Sequence, residues 1–262
     1  ISSSLNSGSV TISTTSPSTN NPSTGGFESG TDGDITVNSA ISKNSGPDST
    51  LTLKAHRHIK VASGASITSE FNKLNLVLWA NQDGAADGRI EIGNSVTTLT
   101  NITTNGGGIW MGGGSGSTTW TPYSGASAIT VGNGYALSTS GSTLSSSNQS
   151  NGISLLATRI NTAGGNVALY GDSETSLQVN DGIRMQYDAT PTSATQINAG
   201  AGKIYVDGKT ASGGTYNFGL DIKGTTLTST STAADAITLK GSSNTTGNDQ
   251  AVVAGNTTIT AS

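Results

Sequence analysis

A five-residue pattern, apolar-x-apolar-x-Gly, returns through the chain and restricts its fold more tightly than any other feature. It reads Ile109-Trp-Met111-Gly-Gly113, Val167-Ala-Leu169-Tyr-Gly171, Ile204-Tyr-Val206-Asp-Gly208, Leu220-Asp-Ile222-Lys-Gly224 and Ile237-Thr-Leu239-Lys-Gly241. Period-two alternation of this kind predicts half-buried strands. Three copies follow a shorter strand at a constant step of seven residues: Ile102 precedes Ile109, Ile160 precedes Val167 and Ile197 precedes Ile204. Each lead-in enters a glycine-bearing corner, at Asn105–Gly108, Ala163–Gly165 and Gly200–Gly202. Glycine is expected there for the positive φ of a tight corner.

Related alternations fill the gaps, among them Ile35-Thr-Val37, Leu51-Thr-Leu53, Leu76-Val-Leu78, Ile90-Glu-Ile92, Ile129-Thr-Val131, Ile153-Ser-Leu155 and Ile183-Arg-Met185. An echo of this sort predicts a β-solenoid, an all-β rod in which each strand stacks on its equivalents above and below. Composition agrees. With 36 glycines, 32% hydrophobic and 11% charged residues, the chain cannot fill a wide core, but a thin coil needs only one or two inward aliphatics per face. Ten to thirteen turns at about 4.8 Å each would make a rod about 50–60 Å long. Residues 1–30 read as an irregular, low-complexity lead. Residues 31–262 read as the rod, with loops leaving it at 112–128 and 139–151.

Twelve Lys+Arg against sixteen Asp+Glu give a net charge of −4, without the basic face that nucleic acid requires. Disorder is disfavoured, because low hydrophobicity here comes with low net charge. The absence of cysteine excludes disulfides, iron–sulfur clusters and thiol nucleophiles. No run approaches a membrane span, and the start at Ile1 without a signal-like segment is expected of a piece of a longer or processed product.

Gly33-Asp-Ile-Thr-Val-Asn-Ser-Ala-Ile41, Thr50-Leu-Thr-Leu-Lys-Ala55, Ile59-Lys-Val61, Ala65-Ser-Ile-Thr68 and Leu74-Asn-Leu-Val-Leu-Trp79, in that order, resemble the repeats of filamentous-haemagglutinin-like exoproteins. These are large adhesins exported by two-partner secretion from Gram-negative bacteria. The resemblance is clearest over 33–111 and recurs over 152–260. It implies a right-handed parallel β-helix, export through an outer-membrane partner, a place at the outer cell surface, and a role as stalk or adhesive surface. Asn20-Asn-Pro22 is followed by Ser, so the family's amino-terminal secretion domain is not evident, and this piece corresponds to downstream rod.

Catalytic residues, metal ligands and cofactors are not expected. The carboxylates are scattered: Asp83, Asp87 and Glu91 are close in sequence, as are Asp32 with Asp34 and Asp172 with Glu174, and Asp is a standard corner residue. His56-Arg57-His58 would put two imidazoles on one face of a strand, but no third ligand is local. Trp110, Trp120, Tyr123 and Tyr135 gather around the first loop, where they would either cover the thin core below it or, turned outward, stack on sugar rings of a host or neighbouring-cell surface. Asn101, Asn148, Asn244 and Asn256 match the Asn-x-Ser/Thr glycosylation pattern.

The expected function is therefore a non-enzymatic structural and adhesive rod. Alternatives are a filament subunit associating end to end, and a polysaccharide-active enzyme. Ice binding would need regular Thr-x-Thr ladders, and Thr226/Thr228 and Thr230/Thr232 do not recur at a constant turn length.

Overall fold

A computed structural model describes residues 1–14, 33–84, 87–93, 95, 97–139, 151–174, 180–185, 194–211, 217–243 and 250–261. The chain opens with α1 (Ser2–Leu5) and β1 (Val10–Ser13). The coils then follow in order: β2 (Ile35–Val37), β3 (Ile41–Lys43) and β4 (Ser49–Lys54); β5 (Ile59–Val61), β6 (Ser66–Ser69) and β7 (Leu74–Trp79); β8 (Ile90–Ile92), β9 (Thr100–Thr103) and β10 (Ile109–Trp120). Two inserted strands come next, β11 (Ile129–Gly134) and β12 (Ala136–Ser138). The coil resumes with β13 (Ile153–Leu155), β14 (Thr158–Asn161) and β15 (Val167–Ser173), then β16 (Ile183–Arg184), β17 (Gln196–Asn198) and β18 (Ile204–Thr210). It ends with β19 (Phe218–Asp221), β20 (Thr226–Ser229) and β21 (Ile237–Ser243), then β22 (Gln250–Val253) and β23 (Thr258–Ala261).

These strands form three parallel sheets. Sheet A runs β1-β4-β7-β10-β15-β18-β21, sheet B runs β2-β5-β8-β13-β16-β19-β22, and sheet C runs β3-β6-β9-β14-β17-β20-β23. The molecule is a right-handed parallel β-helix. The seven-residue step is the passage from sheet C to sheet A within one coil. Each sheet path is seven strands deep, so the described rod is about 30 Å long rather than 50–60 Å. The difference arises because each coil spends three strands, and strands of one coil look like successive turns in sequence.

Aliphatic ladders fill the interior. Ile41, Ile67, Ile102, Ile160, Ile197 and Leu227 stack in sheet C, and Ile35, Ile59, Ile90, Ile153, Ile183 and Leu220 in sheet B. Leu76, Ile109, Val167 and Ile204 do the same in sheet A. All are buried in one continuous cluster.

The corners hold a second ladder, of polar groups. Asp34 Oδ1 accepts the backbone N–H of His58 at 3.0 Å, and His58 Nδ1 accepts that of Arg89 at 3.0 Å. Farther along, Asn151 Oδ1 accepts from Asp181 N and Asp181 Oδ1 from Phe218 N. Buried corner N–H groups are thus satisfied by the adjoining coil.

Residues 1–14, read from sequence as part of an irregular lead, belong to the fold. Val10 to Ser13 pairs in parallel with Leu51 to Lys54, and Leu5 is fully buried in the core. Ser2 Oγ accepts from Ser42 N, and Asn6 Oδ1 accepts from Asn44 N and Ser45 N, so polar side chains close the edge of β3. Residues 15–30 of that lead and 140–150 of the second expected loop lie outside the described residues.

Candidate functional site

The segment 112–128 does not leave the rod as a loop. Strand β10 continues past the core sheet, folds back, and pairs antiparallel with β11, matching Trp120 to Ile129, Thr118 to Val131 and Gly113 to Gly134. Glycine makes the reversal feasible. A Cβ on Gly113 would fall 2.3 Å from the Tyr135 carbonyl oxygen and 2.8 Å from that of Ala80, and Gly114 has φ +97°. The resulting hairpin covers the outward face of sheet A. Val77, Trp79, Trp110, Val131 and Ala168 form a second apolar cluster beneath it, with Trp120, Ile129 and Tyr170 at its border. Trp79 Nε1 donates to the Gly114 carbonyl at 2.7 Å, and Asn166 Nδ2 to the Thr121 carbonyl at 3.0 Å, which tie the hairpin to the coils.

Between hairpin and sheet lies an open cleft of about 250 Å³. Trp110 and Tyr170 come from the sheet, Tyr135 from the return segment, and Trp120, Thr118 and Asn133 from the hairpin. The ring centroids of Trp110 and Tyr170 are 6.1 Å apart, those of Tyr135 and Tyr170 5.8 Å in an edge-on arrangement, and those of Tyr170 and Tyr205 5.4 Å. The rings therefore continue beyond the cleft along the rod. Burial, reinforced by Tyr205 and Asp207, pushes the Tyr170 hydroxyl up to about 12. Burial and Asp207 also push Tyr135 upward, so both phenols stay protonated donors at neutral pH.

Three of the four aromatics singled out from sequence, Trp110, Trp120 and Tyr135, meet in this cleft. Trp110 is only 2% exposed and serves as floor and core at once. Tyr123 is elsewhere, with Lys73 Nζ 3.8 Å above its ring. Tyr170 and Tyr205 were missed, although the repeated motif contains the signal. Aligning its copies puts Trp110, Ala168 and Tyr205 in one outward column and Tyr170 with Asp207 in the next, as the register shows.

No family model, curated protein or solved structure matches this chain.

Of the acidic groups noted in sequence, Asp34, Asp87 and Glu91 are each set against a cation and Asp83 against His56. Asp83 lies 2.8 Å from His56 Nε2, Asp34 2.8 Å from Arg57, Asp87 3.4 Å from Arg89, and Glu91 3.4 Å from Lys60. Burial raises the Glu91 carboxyl, and Lys60 opposes the rise. Burial, then Glu174, raises Asp172. Asp32 lies outside the described residues.

The two histidines do not share a face. Residues 56–58 form the corner between sheets A and B, which interrupts the alternation of a strand, so His56 meets Asp83 while His58 is fully buried beside Asp87 and Arg89. Among the described residues, no group of three or more His, Asp or Glu side chains gathers as a metal site.

Asn101 and Asn256 are exposed, whereas Asn148 and Asn244 lie outside the described residues. Thr226 and Thr228 do stack on Thr258 and Thr260, contrary to the irregular spacing read from sequence, because coils of unequal length still align in register. Gln196 and Asn198, then Arg159 and Asn161, interrupt that ladder on the preceding coils.

Proposed function

We propose that the chain is a non-enzymatic structural and adhesive rod segment of a large secreted exoprotein at the outer surface of a Gram-negative bacterium, binding glycans on a host or neighbouring cell. One observation carries this reading: a folded-back hairpin, additional to the coil, builds an aromatic cleft on the outward face of sheet A. Aromatic faces and uncharged hydrogen-bonding groups are what sugar rings require. The resemblance to filamentous-haemagglutinin-like repeats supplies the setting, including an outer-membrane secretion partner for the parent protein. The pairing of Asp34, Asp87 and Glu91 with cations, and of Asp83 with His56, supports a non-enzymatic role over a polysaccharide-active one.

The test is a glycan array probed with the intact chain and with a variant whose residues 114–133 are replaced by a short Gly-Ser link. Binding that disappears with the hairpin is the expected result. Equal binding by both chains would move the adhesive surface elsewhere, and glycan cleavage lost on changing Asp83, Asp87 or Glu91 would replace adhesion with enzymology.

For the 262-residue chain taken by itself, self-association end to end is a second reading, favoured by exposed apolar side chains on the last strands: Ile259 is 48% and Val252 38% exposed. The opposite end is obstructed in sheet C, where α1 side chains occupy the β3 edge. Contact between two β23 edges fits this asymmetry better than a head-to-tail filament.

A further inference from the structure

The ring track does not stop at the cleft, and its charges are balanced. Trp110, Tyr170 and Tyr205 come from three successive coils, with centroid steps of 6.1 and 5.4 Å. Coils succeed one another along the rod axis, so the track runs along that axis and crosses the strands. The cleft itself is lined by aromatic, threonine, asparagine and glycine residues together with Val131, and by no charged side chain.

Charged groups lie beside the track in compensating sets. The Tyr205 hydroxyl donates to Asp207 Oδ2 at 2.9 Å, Lys209 Nζ stands 3.8 Å over the Tyr135 ring, and Lys240 Nζ stands 4.9 Å over Tyr205. Asp172 lies in register with Lys209, and Asp207 with Lys240. A carboxylated or sulfated sugar would find no surplus of positive charge here. A neutral one finds ring faces for its C–H surface, and hydroxyl and amide groups at Thr118, Asn133, Tyr135 and Tyr170 for its hydroxyls.

From this geometry, and resting on the saccharide reading above, we infer that the ligand is a neutral, linear glycan lying along the rod axis, with one sugar in the cleft and the next beside Tyr205, against the edge that Lys240 leaves uncovered. The cleft gives affinity for a single ring, and Tyr205 adds the preference for a chain. Recognition is then of a polymer segment rather than of a terminal residue.

The test is calorimetric titration of the intact chain with glucose, with cellotriose and maltotriose, with polygalacturonate and with choline, repeated on Tyr205→Ala and Trp120→Ala. A neutral trisaccharide is expected to bind about tenfold more tightly than glucose, and Tyr205→Ala to reduce that ratio to about twofold or less, the larger loss falling on the trisaccharide. Trp120→Ala is expected to weaken both, with the circular dichroism of the rod unchanged.

Trisaccharide preference that survives Tyr205→Ala overturns the track. Binding of polygalacturonate alone, lost in Trp120→Ala, overturns the neutral class and leaves the saccharide reading standing. Binding of choline with no sugar bound, or of nothing in the series, overturns both.

Discussion

Gly107, Gly165 and Gly202 stack at the corner where sheet C passes into sheet A, and the reason is contact. A Cβ on Gly165 would lie 1.9 Å from the Gly107 carbonyl oxygen, and one on Gly202 2.1 Å from that of Gly165. Positive φ falls instead on Asn105, Gly106, Ala163, Gly164 and Gly200. Gly165→Ala is therefore expected to cost about 1–3 kcal/mol, because two coils must separate to admit a methyl group. Gly8→Ala, with nothing within 4 Å of the new atom, should stay within about 0.5 kcal/mol in the same urea titration.

The polar corner ladder makes stability depend on pH in two opposite ways. Burial, then Asp221, raises the Asp181 carboxyl from 3.8 to about 7 against the pull of Arg184, whose Nη1 lies 4.0 Å away. The folded state holds that proton more tightly, so this group's contribution is complete below its unfolded value of 3.8 and is lost as pH rises towards 7. Asp181→Asn, which keeps the acceptor for Phe218 N–H, should flatten that decline in denaturant titrations between about pH 4 and pH 8. His58 behaves inversely. Burial, with Arg89 and Arg57, holds it well below 6.5, so its contribution is present above 6.5 and is lost as pH falls. Because the two windows overlap and the slopes oppose each other, the difference between the wild-type and Asp181→Asn profiles is the measure. A difference that stays level from about pH 4 to pH 8 would remove Asp181 from the account.

At the scale of elements, the hairpin is the piece that adds an aromatic cleft to a plain coil. Gly113→Val would drive a branched side chain against the Tyr135 and Ala80 carbonyls, so the hairpin should lift while the aliphatic ladders persist. The expected signature is red-shifted tryptophan emission from Trp79 and Trp110 and new protease cleavage within 112–134, with the far-ultraviolet spectrum retained. Much of the coil is visible in sequence because inward aliphatics alternate strictly and the sheet C to sheet A step is constant. The hairpin is harder to see, since Gly112-Gly-Gly-Ser-Gly-Ser carries no apolar alternation and its strand character comes from pairing with β11. Residues 1–14 are obscure for a related reason. Leu5, Val10 and Ile12 are their only well-packed apolar residues, and without neighbouring copies of a motif the alternation Val10-Thr-Ile12 has nothing to echo. Tyr170 and Tyr205 needed register, which places residues far apart in sequence side by side.

At the scale of the whole molecule, the two ends differ. Among the described residues, Ser2 and Asn6 side chains cover the β3 edge of sheet C, whereas β23 at the other edge of that sheet has every residue exposed. Ile259→Lys puts a charge on that edge, the device by which natural sheets avoid edge-to-edge contact. Sedimentation velocity should show a concentration-dependent dimer of the parent chain that this substitution disperses. A single monomeric boundary at high concentration for both chains would end the self-association reading.

The ladders that join coil to coil point along the rod in all three sheets, and this gives the molecule a mechanical character. A pull on its two ends loads the hydrogen bonds of sheets A, B and C at each coil boundary side by side, so extension demands that a whole row yield together. The cleft hairpin is continuous with β10, which is clamped between β7 and β15. Force applied at the cleft would enter the rod as shear on a strand held from both sides, and that strand would bear load without unravelling from the point of attachment.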